Sequence, residues 1–253
     1  MSDYDRGFPR AVPAGAADMA VDAGLRGFML GVYNKVALGL LVSALFAYLT
    51  ADFAPVRDLL YVTTPDGRLA GFTLLGTAIR FAPLLVILFA MFGMRNPSPR
   101  AAGIYYWSVV SLIGAGLGVW VLTYTGVSLA TTFMVTAAAF GGLSVYGYAT
   151  KKDLSGFGSF LIVGVIGLVI AMLANMFLHS AMIQFVVSII GVLIFAGLIA
   201  FDTQRLKMTY YALGGNQAAM GVATSFGALS LYLDFINLFQ FLLMLFGGGG
   251  SRR

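Results

Sequence analysis

Seven long apolar segments run through this chain, and they constrain its fold more than any other feature. Each is close to the roughly 20 residues that an α-helix needs to cross the hydrocarbon core of a bilayer. Lipid offers backbone groups no hydrogen-bond partners, so such a segment satisfies them within its own helix. The pattern predicts an all-α integral membrane protein, a bundle of seven transmembrane helices. The segments cover approximately Phe28–Thr50, Leu69–Met94, Ala101–Tyr124, Leu129–Thr150, Phe157–His179, Met182–Leu206 and Gly221–Phe246.

The composition agrees with a membrane protein and excludes several kinds of site. Of the 253 residues, 60% are hydrophobic and 10% are charged, whereas soluble domains carry about 25% charged residues. The chain has no cysteine, which excludes disulfides and thiolate metal sites. Its single histidine, His179, cannot form a multi-histidine metal site. We therefore expect no cofactor.

The basic residues predict how the chain lies in the membrane. With the N-terminus in the cytoplasm, only Arg57 and Arg68 fall in outer loops, and seven crossings also place the C-terminal Arg252 and Arg253 outside. A positive charge that records orientation does not indicate nucleic acid as a partner. Residues 1–26 are predicted to be a flexible cytoplasmic tail, residues 27–247 the transmembrane domain and residues 248–253 a flexible stub. The predicted inner side carries Arg6, Arg10, Arg26, Arg95, Arg100, Lys151, Lys152, Arg205 and Lys207.

Two aspartates lie in the last two apolar segments, where lipid-exposed chains rarely carry a charge. Asp202 occurs in GLIAFDTQRLK and Asp234 in LSLYLDFINLF. An ionised carboxylate at bilayer depth costs at least about 2.5–3.5 kcal/mol, so it is expected to face a partner or a water-filled path. Asp234 falls near the middle of the last segment. Asp202 falls near the predicted cytoplasmic end of the sixth, where an interfacial ion pair with Arg205 at i+3 is an equally good interpretation.

Three further polar residues accompany the aspartates. Arg80 lies within the second segment and needs a carboxylate or carbonyl partner there. Ser230 and Asn237 share a helical face with Asp234, because a spacing of i, i+4 and i+7 keeps residues on one side of a helix. A polar stripe on an apolar helix points into the bundle. We therefore predict one intramembrane site formed by the two aspartates and Arg80, with the stripe supporting it.

Two carboxylates held together cannot both ionise cheaply, so one keeps a proton and the pair shares a hydrogen bond. Such a pair can act as a proton-controlled latch, bonded when singly protonated and repelling when doubly charged. A divalent cation can replace the missing proton, since Ca²⁺ prefers oxygen ligands. If Asp202 and Asp234 meet, they predict pH-dependent passage of Ca²⁺ or protons, with both residues as transient Ca²⁺ ligands.

Other polar and aromatic residues fit ordinary membrane roles. Lys35 in the first segment can extend its charge toward the interface while its stem stays in apolar surroundings. Tyr105, Tyr106 and Trp107 at the start of the third segment predict an aromatic belt at the membrane surface.

Several stretches resemble the Bax inhibitor-1 (transmembrane BAX inhibitor motif) family. GLIAFDTQRLK resembles the aspartate-bearing motif of the family's sixth helix, and LSLYLDFINLFQFLLMLFG resembles its closing helix. VDAGLRGFMLGVYNKVALGLLVSALFAY and FGGLSVYGYATKKDLSGFGSFL look like the bacterial branch of the family. The resemblance extends over about residues 20–247.

The resemblance implies a seven-helix bundle around a central C-terminal helix. It also implies a pH-sensitive Ca²⁺ leak channel, here expected to be a monomer, rather than an enzyme. In such proteins an aspartate pair in the last two helices senses protons, and an arginine of the second helix bonds the pair. By motif the sensor roles pass to Asp202 and Asp234. Arg80 corresponds to that arginine, because it lies at a similar depth and is the only charged residue in its segment.

Three other functions fit parts of the sequence. The main alternative is a regulatory interaction protein that modulates a membrane-bound protease, in which case the purified chain would carry no ion flux. An intramembrane protease would use Ser144 and His179, although Tyr146 replaces the second glycine of the Gly-x-Ser-x-Gly elbow. A proton-coupled transporter also uses intramembrane aspartate and arginine, but the segments show no inverted repeat.

Overall fold

The computed structural model describes residues 14–65 and 69–247. The predicted stub at 248–253 and the first half of the predicted tail lie outside the described residues. The helix α1 already begins at Ala14, upstream of the predicted tail boundary at residue 26. In chain order the elements are α1 (Ala14–Asp52), α2 (Ala54–Leu60), β1 (Tyr61–Thr63), β2 (Leu69–Phe72), α3 (Leu74–Gly93), α4 (Pro99–Thr123), α5 (Gly126–Ala149), α6 (Ser155–Leu178), α7 (Ala181–Leu213) and α8 (Gln217–Phe246).

Six of these helices are long and apolar enough to cross a membrane, namely α1 and α4 to α8. The predicted all-α membrane architecture is therefore confirmed in outline. The helix α3 is shorter, with an apolar stretch over Leu74–Ala90, so the seventh crossing stays a prediction. The difference arises at Leu69–Phe72, which pairs with Tyr61–Thr63 as an antiparallel strand instead of beginning the second helix.

Polar caps explain where most of the spanning helices begin. A Ser, Thr or Asn side chain at the N-cap accepts a hydrogen bond from the backbone amide three residues on, which satisfies one of the free amides of the first turn. Apolar sequence continues on both sides of several of these positions, so the cap defines the start more sharply than hydropathy does. The capping residues are Thr73, Ser98, Thr125, Ser180 and Asn216.

A tight hairpin joins α7 to α8. The turn contains Gly214 and Gly215 with φ of 54° and 85°, a backbone region that glycine enters without a steric penalty. The helix α7 ends at Leu213, beyond the predicted end at Leu206. Asp202 therefore lies about three turns inside α7, not near its end.

The helix α8 is the most buried of the spanning helices, with 61% of its most apolar window inside the bundle. It packs against α1, α4, α5 and α7. One hydrophobic cluster forms around Tyr106 and Tyr232 where α8 meets α1 and α4. A second forms around Ile199 and Leu238 where α8 meets α7. The two sides of α8 thus belong to two different cores.

Glycines allow close helix packing at some positions and face open space at others. Gly114 of α4 lies directly against the backbone of Ser43 in α1. Gly147 of α5 lies directly against the backbone of Ala200 in α7. Small residues at such contacts let helix backbones approach in lipid. By contrast, a Cβ atom added at Gly116 would meet no atom within 4 Å.

Candidate functional site

The structure brings Asp202 of α7 and Asp234 of α8 into one cavity. Both are buried, with 4% and 5% of their surface exposed. The cavity has a volume of about 460 Å³ and is bounded by α3, α6, α7 and α8. The two residues come from neighbouring helices that pack against each other, and both line this cavity. The extension of α7 beyond its predicted end explains why they meet, because it moves Asp202 away from the helix terminus and toward the depth of Asp234.

Asp202 has two polar partners. Its Oδ2 accepts a hydrogen bond from the Ser230 hydroxyl of α8. Its Oδ1 lies 3.2 Å from Nη2 of Arg205, one turn further along α7. Arg205 also donates to Ser230 at 3.2 Å, and its guanidinium lies over the Phe201 ring at 5.6 Å. The i+3 ion pair left open by the sequence is therefore present, at the edge of the cavity rather than at a helix end.

Asp234 is less well satisfied. Its Oδ2 is buried and has no hydrogen-bond partner in the part of the chain that the structure describes. A buried polar atom without a partner is uncommon in folded proteins and needs a particular explanation. In this cavity it leaves an acceptor that a proton, a water molecule or a cation can occupy.

The polar stripe of α8 continues into a second cavity. Asn237 lines the first cavity together with the aspartates and also lines a neighbouring one of about 370 Å³. Gln240 lies on this second cavity, one turn after Asn237. Sequence reasoning missed Gln240, although its i+3 spacing from Asn237 was a signal that could have found it. Together the two cavities follow α8 from Ser230 to Gln240.

Arg80 lies apart from the aspartate pair. Its guanidinium sits 5.0 Å from the centre of the Phe72 ring in β2, and it lines the second cavity rather than the first. The reason is the late start of α3: counted from Leu74 instead of Leu69, Arg80 is less than two turns into its helix. Among the described residues, the cation paired with Asp202 is Arg205.

The opposite face of α8 carries a different polar cluster, directed toward α1 and α4. Ser43 shares a hydrogen bond with the Tyr232 hydroxyl at 2.6 Å and donates to the Val110 carbonyl at 3.1 Å. The predicted aromatic belt is wrong for Tyr106, which is fully buried and donates to the Lys35 carbonyl at 2.6 Å. The Lys35 ammonium donates to Ser225 of α8 at 2.7 Å.

Comparison with known proteins agrees with this architecture. A family model described as "Inhibitor of apoptosis-promoting Bax1" matches residues 25–251. The chain belongs to the Bax inhibitor-1 family. It is 63% identical over 248 residues to an uncharacterized protein of Caulobacter vibrioides, covering 98% of this chain and 99% of the relative. It is 39% identical over 226 residues to the inner membrane protein YbhL of Escherichia coli, covering 89% and 93%. An uncharacterized protein of Rickettsia prowazekii is 42% identical over 226 residues, covering 89% and 91%.

In this family member, the two residues considered for protease chemistry are far apart. Gly147, one turn after Ser144, lies against Ala200 of α7. Gly158, near the start of α6, lies against the next residue of α7, Phe201. His179 follows Gly158 by a further 21 positions along α6, which is about 30 Å at 1.5 Å per residue. A serine and a histidine at this separation do not form a nucleophile–base pair.

The described residues include no group of three or more His, Cys, Asp or Glu side chains that could hold a metal ion. The oxygen ligands available to a cation in the first cavity are the two carboxylates, the Ser230 hydroxyl and the Asn237 amide. Ca²⁺ takes about 6–8 oxygen ligands in stable protein sites. The side chains that line the first cavity thus offer fewer oxygen ligands than a stable Ca²⁺ site uses.

Proposed function

We propose that this chain is a pH-sensitive cation leak channel of the bacterial inner membrane, passing Ca²⁺ or protons, with its N-terminus in the cytoplasm. The observation that carries the proposal is the burial of two carboxylates, from α7 and α8, in one cavity. Intramembrane carboxylates that face a cavity rather than lipid are typical of ion and proton paths.

The adjoining cavities support a route along α8. They share Asn237 and three apolar residues, so polar groups occur at intervals from Arg205 past the aspartates to Gln240. The cavities are separate and small, which fits a closed channel. In this proposal, Arg205 neutralises Asp202 on one side of the gate and Arg80 stands in the vestibule on the other side.

The proposed latch works through one shared proton. While one carboxylate is protonated, the pair carries a single charge and can share a hydrogen bond, which keeps α7 and α8 together at this depth. Loss of the proton leaves two adjacent negative charges in surroundings where the repulsion is poorly screened. The repulsion separates the helices, and a passing cation replaces the lost proton.

The proposal is tested by Ca²⁺ flux into liposomes that contain the purified full chain. Flux is expected to rise as the pH increases, because loss of the shared proton leaves both carboxylates charged. Asp202→Asn and Asp234→Asn should each flatten this response. Asp153→Asn is the matched control, because it removes an exposed carboxylate from the α5–α6 connection. An unchanged pH profile in both intramembrane variants would refute the latch.

The alternative is a regulatory interaction protein acting on a membrane-bound protease. One feature favours it: α1 contains 39 residues, so it is about 58 Å long and exceeds the hydrocarbon core of about 30 Å. Its N-terminal part can therefore project from the membrane as a contact surface. Under this alternative, purified protein carries no flux at any pH, and removing residues 1–24 abolishes the regulatory effect while the bundle stays folded.

A further inference from the structure

A second kind of site lies between α1 and α5, away from the carboxylates. The two helices leave a lateral cavity of about 790 Å³ between them. Among the described residues, all that line it belong to these two helices, so the cavity is a groove on the side of the bundle. We call it the α1–α5 groove. Its lining is mostly apolar, with one charged residue, and includes Arg26, Met29, Leu30, Phe140, Val145 and Tyr148.

The groove has the length of one bilayer leaflet. Its deep end is closed where the rings of Tyr33 and Phe140 meet edge to face, 6.3 Å apart. From Phe140 to Ala149 at the other end, α5 rises about 13 Å. Half of the hydrocarbon core is about 15 Å. A molecule that enters the groove from the side therefore lies within a single leaflet.

Several basic side chains lie at the open end of the groove. Arg26 lines the groove there, and Lys151 and Lys152 follow directly after α5. Lys207 of α7 donates to the Tyr148 carbonyl at 3.1 Å, which brings a further ammonium to this end. The neighbouring Asp153 has its carboxylate bonded to the Ser155 amide at 2.8 Å.

The wall of the groove also contains an unsatisfied hydroxyl. Ser144 is buried, and its Oγ has no hydrogen-bond partner among the residues that the structure describes. A serine in a spanning helix normally finds an acceptor nearby. An occupant with carbonyl oxygens below a charged head would supply one.

We propose that the α1–α5 groove binds one anionic glycerophospholipid, with its phosphate at Arg26 and one acyl chain along the apolar wall toward Phe140. Basic pockets between transmembrane helices recognise lipid head groups through the phosphate. The ester carbonyls of such a lipid lie just below its phosphate, on the side of Ser144. The proposal goes beyond ion passage and holds whether or not the chain conducts.

Native mass spectrometry of the full chain in detergent tests the proposal, with phosphatidylglycerol and phosphatidylcholine of the same acyl composition as probes. The wild type is expected to retain one phosphatidylglycerol in preference to phosphatidylcholine. Arg26→Gln should weaken phosphatidylglycerol binding about fivefold, the effect of one basic side chain near an anionic membrane surface. It should weaken phosphatidylcholine binding less, because the choline ammonium of that lipid already offsets the charge of its phosphate.

A substitution that fills the groove distinguishes lipid bound there from lipid that adheres elsewhere on the protein. A Cβ atom added at Gly141, on the groove wall, meets no atom within 4 Å, and the same is true at Gly142, which is not on the wall. Gly141→Phe should remove the bound lipid, while Gly142→Phe should retain it. Equal retention of both lipids by the wild type, equal loss in the two glycine variants, or undiminished phosphatidylglycerol binding in Gly141→Phe would overturn the proposal.

Discussion

The two faces of α8 differ in how well their buried polar groups are hydrogen-bonded. Toward α1 and α4, the Ser43 and Tyr232 hydroxyls share a hydrogen bond, and Ser43 also reaches a backbone carbonyl. Toward α7, Asp234 keeps a buried oxygen without any partner among the described residues. The first arrangement is neutral and satisfied, as expected of polar groups that hold a core together. The second leaves a carboxyl group poorly satisfied, which is typical of a functional position.

Cavities lie on both faces, and the one beside Ser43 on the neutral face has a volume of about 580 Å³. On the neutral face, α4 approaches α1 closely enough that Gly114 contacts the Ser43 backbone. On the charged face lie two cavities, of about 460 and 370 Å³. The helix α3, which borders both, packs mainly against α4. The two faces therefore differ more in how their polar groups are satisfied than in how densely they are packed.

The largest effect on stability should come from crowding the neutral face. Gly114→Val would push a side chain into the Ser43 backbone, and overpacking of this kind costs about 1–3 kcal/mol or more. Thermal unfolding of the purified chain in detergent measures the loss. Gly116→Val is the control, because its Cβ enters open space on the same helix. If both variants unfold at the same temperature, the neutral face is not close-packed.

Removing one polar group from each face should have different effects on the stability of the protein. Tyr232→Phe deletes the hydrogen bond to Ser43 and should lower the free energy of unfolding by about 0.5–1.5 kcal/mol. Asp234→Asn replaces a poorly satisfied carboxyl group by a neutral amide that can donate to Asp202, so thermal stability should stay the same or rise. A large loss of stability in Asp234→Asn would show that both faces serve stability, and the contrast between them would fail.

The smallest effects are expected from replacing the two arginines near the charged face, and they should differ between the two residues. Arg205→Gln removes the partially exposed ion pair with Asp202, worth about 0.2–1 kcal/mol, and should shift the pH midpoint of Ca²⁺ flux. Arg80→Gln should shift that midpoint less, because Arg80 lies over Phe72 in the neighbouring cavity. Flux measured across pH in liposomes makes the comparison. A larger shift in Arg80→Gln would mean that Arg80 joins the carboxylates in another state of the protein.

The sequence predicted the membrane architecture well because hydropathy responds to the bilayer. It predicted helix ends less well, since a helix does not have to stop where the membrane does. The polar stretch after Arg205 continues α7 to Leu213, and that continuation decides the depth of Asp202. The same limit affected Leu69–Phe72, where an apolar stretch next to the second helix forms a strand.

The sequence predicted part of the candidate site, because helical spacing alone shows which residues share a face. The stripe of Ser230, Asp234 and Asn237 follows from helical spacing alone, and all three line the first cavity. Which cation pairs with Asp202 does not follow from spacing, because Arg205 and Arg80 both fitted the pattern. Tyr106 shows the same difficulty, since its place near a helix start does not reveal whether it faces lipid or the bundle centre. These questions depend on how helices are rotated against one another.

The double-glycine turn between α7 and α8 determines which residues of the two helices lie at the same depth on the charged face. Ser230 meets Asp202 because similar lengths of helix run away from Gly214 and Gly215 on either side. One residue inserted at the turn would rotate α8 by about 100° relative to α7 and carry the carboxylates out of alignment. Changes in loop length at this turn would thus alter the carboxylate-lined cavity from more than 15 Å away, without replacing any residue that lines it.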